Sequence, residues 1–98
     1  MQAKSKVMPV AAPFKKIFSE NFTSIYSNVA EIRFSGTDVM IDFGTVAPDI
    51  NQNLIGEFKL RVFLSPQHAK QFSLLLQQSV EKYEEAAGTI NVVKLEKA

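Results

Sequence analysis

The stretch from Ser65 to Gly88 limits the possible folds more than any other part of the chain, because it holds both a start and an end signal for a helix. Ser65 is a favourable N-cap residue, and Pro66 suits the first helical position, where its missing N–H needs no partner. Gly88 is the residue type that most often ends a helix, and we expect it to adopt the left-handed cap. Between these residues, apolar side chains recur at helical spacing, which predicts one amphipathic helix. The stripe that we expect to be buried consists of Ala69, Phe72, Leu76, Val80, Tyr83 and Ala87, with Leu75 and Ala86 on its flank.

Three segments before the helix alternate apolar and polar residues, which is typical of strands with one buried face. They run from about Tyr26 to Phe34, from Val39 to Phe43 and from Glu57 to Leu64. The face expected to be apolar carries Ala30, Ile32, Phe34, Val39, Ile41, Phe43, Phe58, Leu60, Val62 and Leu64. The face expected to be solvated carries Glu31, Arg33, Asp38, Asp42, Glu57, Lys59 and Arg61.

The pair Ser35–Gly36 predicts the register of the first hairpin. A two-residue turn at this pair places Ile32 opposite Val39. The segment from Gly44 to Asn53 is rich in turn-forming residues, and we expect it to be a loop.

The fold class that follows is α+β: an antiparallel three-stranded meander packed by one long C-terminal helix. The segment Ile90–Val93 is compatible with a fourth short strand, and the sequence leaves this alternative open. We divide the chain into a flexible basic arm, residues 1–13, and a single α+β domain, residues 14–98. Within the domain, Phe14–Phe22 fits either one face of a helix or a short strand.

Composition argues against several classes of function. The sequence has no cysteine, which excludes disulfides and thiolate metal sites. A net charge of +1 gives no strong field for nucleic acid or an anionic membrane, and no apolar run approaches the ~20 residues that span a bilayer. We therefore expect a cytoplasmic protein that does not enter a membrane. Eight phenylalanines are a large apolar load for 98 residues, and a homo-dimer or higher homo-oligomer is a common way to bury it.

Residues that could carry chemistry have simpler structural interpretations. His68, the single histidine, lies in the first helical turn and is interpreted as a capping or packing residue, since acid–base catalysis needs a second positioned group. The segment Asp42–Gly44 spells the Asp-Phe-Gly of protein kinases, but no other kinase motif accompanies it. Asp49, Asn51 and Asn53 have the spacing that begins a calcium loop, but the required glycine is missing. We therefore expect no enzyme, no catalytic residue, no cofactor and no metal site. An enzyme built around His68 at a subunit interface is the hypothesis that opposes this one.

The first binding hypothesis is a non-enzymatic protein-interaction module that acts as a small homo-oligomeric platform or chaperone-like subunit. Its candidate partner contacts are apolar residues expected outside the core: Phe63, Leu74, Phe18 and Phe22. The alternative is a nucleic-acid-binding oligomer that uses the lysines near the amino terminus: Lys4, Lys6, Lys15 and Lys16. Nucleic acid is the less favoured partner, because the sheet face expected to be charged carries four acids and three bases rather than a basic footprint.

Several motifs together resemble a small prokaryotic family catalogued as domain of unknown function number thirty-four sixty-seven. The motifs are Tyr26–Asn28, Asp42–Gly44, Ser65–Lys70, Tyr83–Glu84 and Gly88. The resemblance covers about residues 24–90, and residues 1–22 fit it less well. It implies a single short α+β domain and brings no assigned catalytic residue, cofactor or partner. The meander-plus-helix plan is also similar to subunits of the SecB export chaperone.

Overall fold

The structure, a computed structural model, describes residues 13–93. Three strands precede one helix: β1 Val29–Phe34, β2 Val39–Pro48, β3 Leu54–Leu64 and α1 Pro66–Ala87. The strands form one antiparallel sheet in the order β1-β2-β3. The predicted α+β meander followed by a helix is therefore confirmed. The predicted arm lies outside the described residues except for its last residue, so the boundary between arm and domain stays a prediction.

The first hairpin has a longer loop than the sequence predicted. Ile32 pairs with Ile41 rather than with Val39, so the predicted register is wrong by two residues. The Ser35 side chain closes the longer loop, because its Oγ accepts the Asp38 N–H at 3.2 Å while its own N–H donates to the Asp38 carbonyl at 2.9 Å. A shift of two residues leaves every side chain of β1 on its predicted face.

The pairing of β2 with β3 contains a β-bulge. Phe43 pairs with Leu60, but Gly44 pairs with Phe58, which leaves Lys59 as one extra residue in β3. The ladder continues on both sides of the bulge, so the predicted loop from residue 44 to residue 53 is wrong in its first half.

The bulge changes which face the beginning of β3 presents. Gly44 lies on the same face as Asp42, so its partner Phe58 lies on that face too. Glu57, paired with Thr45, lies on the other face. The predicted faces of Phe58 and Glu57 are therefore both wrong, because one extra residue inverts a pattern of period two.

The loop between β2 and β3 is closed by Asp49. Its Oδ1 accepts the N–H groups of Asn51 and Asn53 at 2.8 and 2.9 Å, and its own N–H donates to the Asn53 carbonyl at 2.8 Å. Gln52, with a φ of 69°, donates its N–H to the Asp49 carbonyl. The Asp49 carboxylate therefore holds this turn together.

The side chain of Asn28 continues the pairing of β2 where β1 begins. The Asn28 N–H donates to the Gly44 carbonyl at 3.0 Å. Its carboxamide pairs with Val46 in both directions, because Oδ1 accepts the Val46 N–H at 2.8 Å and Nδ2 donates to the Val46 carbonyl at 3.3 Å. Asn28 therefore acts as a short piece of neighbouring strand.

Helix α1 begins and ends at the predicted residues. The Ser65 Oγ accepts the His68 N–H at 3.1 Å, and Pro66 is the first helical residue. At the other end the Gly88 N–H donates to the Glu84 carbonyl at 2.8 Å. Gly88 has φ 97° and ψ 167°, a region essentially confined to glycine, rather than the left-handed helical conformation that we predicted.

The segments before β1 and after α1 have no regular secondary structure within the described range. Phe14–Phe22 forms neither the helix nor the strand that the sequence allowed, but contains a turn in which the Phe22 N–H donates to the Ser19 carbonyl at 2.9 Å. The residues after Gly88 form no strand as far as Val93, so the fourth strand is not formed there within one copy.

The described part of one copy has a very small core. Among residues 13–93, the buried apolar residues are Ile41 and Leu64, each 8% exposed. Leu60, which the sequence placed in the core, is exposed. The structure therefore forms the predicted elements but leaves most of their apolar surface uncovered.

Candidate interaction surfaces

The apolar face of the sheet consists of three rows of paired residues, one from each strand. The rows are Ala30–Phe43–Leu60, Ile32–Ile41–Val62 and Phe34–Val39–Leu64. The middle strand is shielded by its neighbours, but Ile32 and Phe34 on β1 remain 64% and 80% exposed. The β1 side of the apolar face is thus open.

Helix α1 covers one part of this face with its first two turns. His68 and Phe72 line a cavity of about 280 Å³ together with four residues of β2 and β3. Those sheet residues are Ile41, Phe43, Val62 and Leu64. Helix and sheet therefore meet at the Leu64 end of β3, whereas the sequence predicted that the helix covers the apolar face.

The remainder of the helical stripe is uncovered. No residue of α1 is buried, and Leu75, Leu76 and Tyr83 are each about half exposed. The prediction of a buried stripe, with Tyr83 over the core, is wrong for one copy of the chain. Periodicity identifies the apolar side of a helix but does not say which surface will cover it.

His68 combines the two structural roles that the sequence allowed. Its N–H completes the helix cap at Ser65, and it borders the cavity beside Phe72. Within residues 13–93, no three His, Asp or Glu side chains come together in a way that could hold a metal ion. The expectation of a protein without catalysis, cofactor or metal stays a prediction.

The opposite face of the sheet centres on Asp42, the one buried charged residue of the described range, at 7% exposure. Arg61 donates from Nε to Oδ1 at 2.7 Å and from Nη2 to Oδ2 at 2.9 Å, and Arg33 donates from Nη2 to Oδ2 at 3.1 Å. Asp42 stands on the central strand directly between Glu31 and Arg61. The face that was expected to be solvated therefore contains a shielded carboxylate, because strands flank Asp42 on both sides.

The two arginines keep the Asp42 carboxyl ionised. The hydrogen bonds from Arg61 lower the pKa of Asp42 below its ordinary value of 3.8, and burial opposes this effect without cancelling it. The charges of Arg61 and Arg33 act in the same direction. The same hydrogen bonds raise the pKa of Arg61. Both Asp42 oxygens already accept hydrogen bonds, so the group is a structural anchor rather than a free acid or base.

The four predicted partner contacts lie on three parts of the chain. Phe63 pairs with Met40 on the Asp42 face, and Leu74 lies on the helix. The rings of Phe18 and Phe22 meet edge to face with their centroids 4.9 Å apart. All four predicted residues are exposed, as a contact with a partner requires. Of these four residues, Phe18 and Phe22 are the two that pack against each other. Their role in binding stays a prediction.

Sequence reasoning missed two members of the surface around Phe63. Phe58 joins the Asp42 face through the bulge and borders a shallow cavity of about 270 Å³ with Asp42 and Arg61. Met40 lies beside Phe63 as its cross-strand partner. The alternation of β2 already placed Met40 on this face, whereas nothing in the sequence indicated the bulge.

The nucleic-acid hypothesis rests on residues that the structure describes in part. Lys15 and Lys16 are exposed, while Lys4 and Lys6 lie outside the described residues. Binding through this arm stays a prediction, and its test is a salt-dependent gel shift with the full chain and with residues 1–16 deleted. Within residues 13–93, no helix combines the length and the apolar character needed to cross a bilayer.

Comparison with known proteins gives one result. No curated protein and no solved structure matches the chain significantly. A family model described as "Protein of unknown function (DUF3467)" matches residues 1–92, which confirms the resemblance and extends it over residues 1–22, where we had expected a poorer fit. The chain belongs to the DUF3467 family of proteins of unknown function.

Proposed function

We propose that this chain is a non-enzymatic protein-interaction module that works as a small homo-oligomer, either as a binding platform or as a chaperone-like subunit. The observation that carries the proposal is the uncovered apolar surface of one copy. It comprises the β1 side of the apolar sheet face and most of the stripe of α1.

The energetic argument compares this surface with the stability of a small domain. Burying a large apolar side chain stabilises a protein by about 1.5–3 kcal/mol, and a whole domain is stable by only about 5–15 kcal/mol. A chain that buries Ile41 and Leu64 among its described apolar residues therefore lacks much of an ordinary core. Self-association supplies the missing burial without any additional protein.

The face around Asp42 provides the surface for other partners. An oligomer formed through the apolar face leaves Phe63 and the half-exposed guanidinium groups of Arg33 and Arg61 on its outside. Aromatic residues and arginine are the residue types enriched at interaction hot spots. This arrangement supports a platform with one face for assembly and one for binding.

The first test is the solution mass by light scattering over a dilution series. We expect a stable mass of at least two chains for the wild type and a lower mass for Leu76→Lys, which places a charge in the helical stripe. Leu74→Lys is the matched control, since Leu74 lies about 200° around the same helix and should not affect the mass. A cooperatively folded wild-type monomer at every concentration would refute the proposal.

The chaperone-like form of the proposal has its own test. The oligomer should reduce the aggregation of a thermally unfolding test protein, and Phe63→Ser should weaken this protection while leaving the oligomer mass unchanged. Equal protection by the wild type and Phe63→Ser would show that the face around Asp42 is not the binding surface.

A further inference from the structure

Within the part of the chain that the structure describes, two separate apolar surfaces of one copy lack a partner. The first lies on the β1 side of the apolar sheet face and consists of Ile32 and Phe34. The second is the helical stripe beyond the second turn and consists of Leu75, Leu76, Val80 and Tyr83. Each is more than one-third exposed at every residue, and neither contains a charged group.

The position of α1 keeps these two surfaces apart within one chain. Ser65 is the single residue between β3 and α1, and its side chain is bonded to the His68 N–H. This short connection fixes the start of the helix at the Leu64 end of β3, where His68 and Phe72 line a cavity together with residues of β2 and β3. The helix then continues for fifteen residues, to Ala87, without burying a side chain.

We infer that a second copy of this chain covers both surfaces. In this dimer the stripe of each α1 lies on the β1 side of the other copy's apolar face, around a two-fold axis. The inference rests on the proposed self-association and specifies its geometry. A two-fold arrangement uses each surface once per copy and leaves no unpaired interface.

The dimensions of the two surfaces agree. The stripe from Leu75 to Tyr83 is about 12 Å long at 1.5 Å per residue. The apolar positions of β1 from Ala30 to Phe34 extend over about 13 Å at 3.3 Å per residue. A helix can therefore contact the whole apolar edge of β1 with about two and a half turns.

The buried area also matches what a dimer needs. The six residues of the two surfaces are on average slightly more than half exposed. At roughly 150–200 Å² for a large apolar residue, they would remove roughly 500–700 Å² per copy from water. A standard interface buries about 800 Å² per partner, and flanking atoms supply the difference.

Engineered disulfides test this geometry directly, because the chain contains no cysteine of its own. Two differently tagged copies are co-expressed, one with Ile32→Cys and the other with Leu76→Cys, and the purified complex is oxidised. We expect a disulfide between the two tags, at several times the yield obtained when Glu81→Cys replaces Leu76→Cys. Glu81 is the matched control because it lies on the polar side of the same helix. Phe34→Cys with Val80→Cys repeats the test if the first pair disturbs folding.

The other outcomes separate this inference from the proposed function. If the protein is a complex of two or more chains but neither cysteine pair forms a disulfide, the proposed geometry is wrong while self-association stands. The same holds if disulfides form between two helix cysteines or between two sheet cysteines. A disulfide within one chain that carries both Ile32→Cys and Leu76→Cys shows that the helix folds onto its own sheet and overturns the inference. A monomer by light scattering, with another segment or protein over the apolar face, overturns both.

Discussion

Replacing Gly44 with alanine should be among the most damaging small changes in this protein. Gly44 is buried at the bulge, where β3 comes unusually close to β2. A Cβ at this position would lie 2.7 Å from the Cα of Phe58 and closer still to the backbone of Glu57, whereas ordinary contacts begin at 3.4 Å. The obstructing atoms belong to the backbone, so no side-chain rotation can make room.

The cost follows from this geometry. The bulged part of β3 would have to move by at least 0.7 Å, the difference between 3.4 and 2.7 Å. Overpacking of this kind costs about 1–3 kcal/mol and occasionally more. We expect Gly44→Ala to lower the free energy of unfolding by about 2–3 kcal/mol, because the backbone of β3 must move away from that of β2. In a domain of this size, this corresponds to a fall in Tm of about 10–20 °C.

The assay is thermal unfolding followed by circular dichroism at one fixed protein concentration, because self-association makes Tm depend on concentration. Gly36→Ala is the matched control, since a Cβ at Gly36 meets nothing within 4 Å. It should change the stability little or raise it by about 0.4–1 kcal/mol through a less flexible unfolded chain. Equal Tm values for Gly44→Ala and Gly36→Ala would mean that the bulge is not where the structure places it.

Three further predictions concern the core, the helix cap and the buried carboxylate. Ile41→Ala should lower the free energy of unfolding, measured with urea, by about 2–5 kcal/mol because Ile41 is buried. Ile50→Ala, at a site that is 93% exposed, should change it little. Similar losses for the two variants would refute the assigned core. Ser65→Ala should cost about 1 kcal/mol, since the His68 N–H loses its acceptor, and an unchanged Tm would exclude a stabilising cap. The lowered pKa of Asp42 stabilises the folded state above about pH 4, and this contribution is lost as the pH falls through the folded-state pKa. Tm measured from pH 6 to pH 3 should therefore show the advantage of the wild type over Asp42→Asn shrinking below about pH 4, and a constant difference would contradict the ion pair.

Features that depend on residues close together in the sequence could be predicted. The limits of α1 follow from Ser65, Pro66 and Gly88, each of which acts on the backbone of one helical turn. The faces of β1 and β2 follow from the alternation of apolar and polar residues alone. An error of two residues in the register does not change these faces.

The bulge at Lys59 could not be predicted, because it leaves no mark on the sequence. Residues 57–62 alternate perfectly between charged and apolar, which predicts an uninterrupted strand. The bulge depends on Gly44 in the neighbouring strand, whose missing side chain allows the close approach. A contact between distant residues thus overrides a regular local pattern.

The sequence predicted that apolar surface would be exposed, but it did not identify all of the residues that form this surface. Excess phenylalanine correctly indicated exposed apolar surface, and Phe63 and Leu74 are exposed. The sequence could not show that Ile32 and Phe34, which alternate as core residues do, would be open in one copy. Alternation reports which side of a strand is apolar, whereas burial depends on whether another element is long enough and close enough to cover it.

The carboxamide of Asn28 has a consequence for how assemblies of this chain can grow. β2 extends beyond the first residue of β1, and the backbone groups on that overhanging edge belong to Val46 and Pro48. Asn28 occupies both groups of Val46, and Pro48 has no N–H to offer. A foreign strand therefore finds no ladder to extend there, and the open-ended strand addition that produces fibres is blocked at this corner of the sheet.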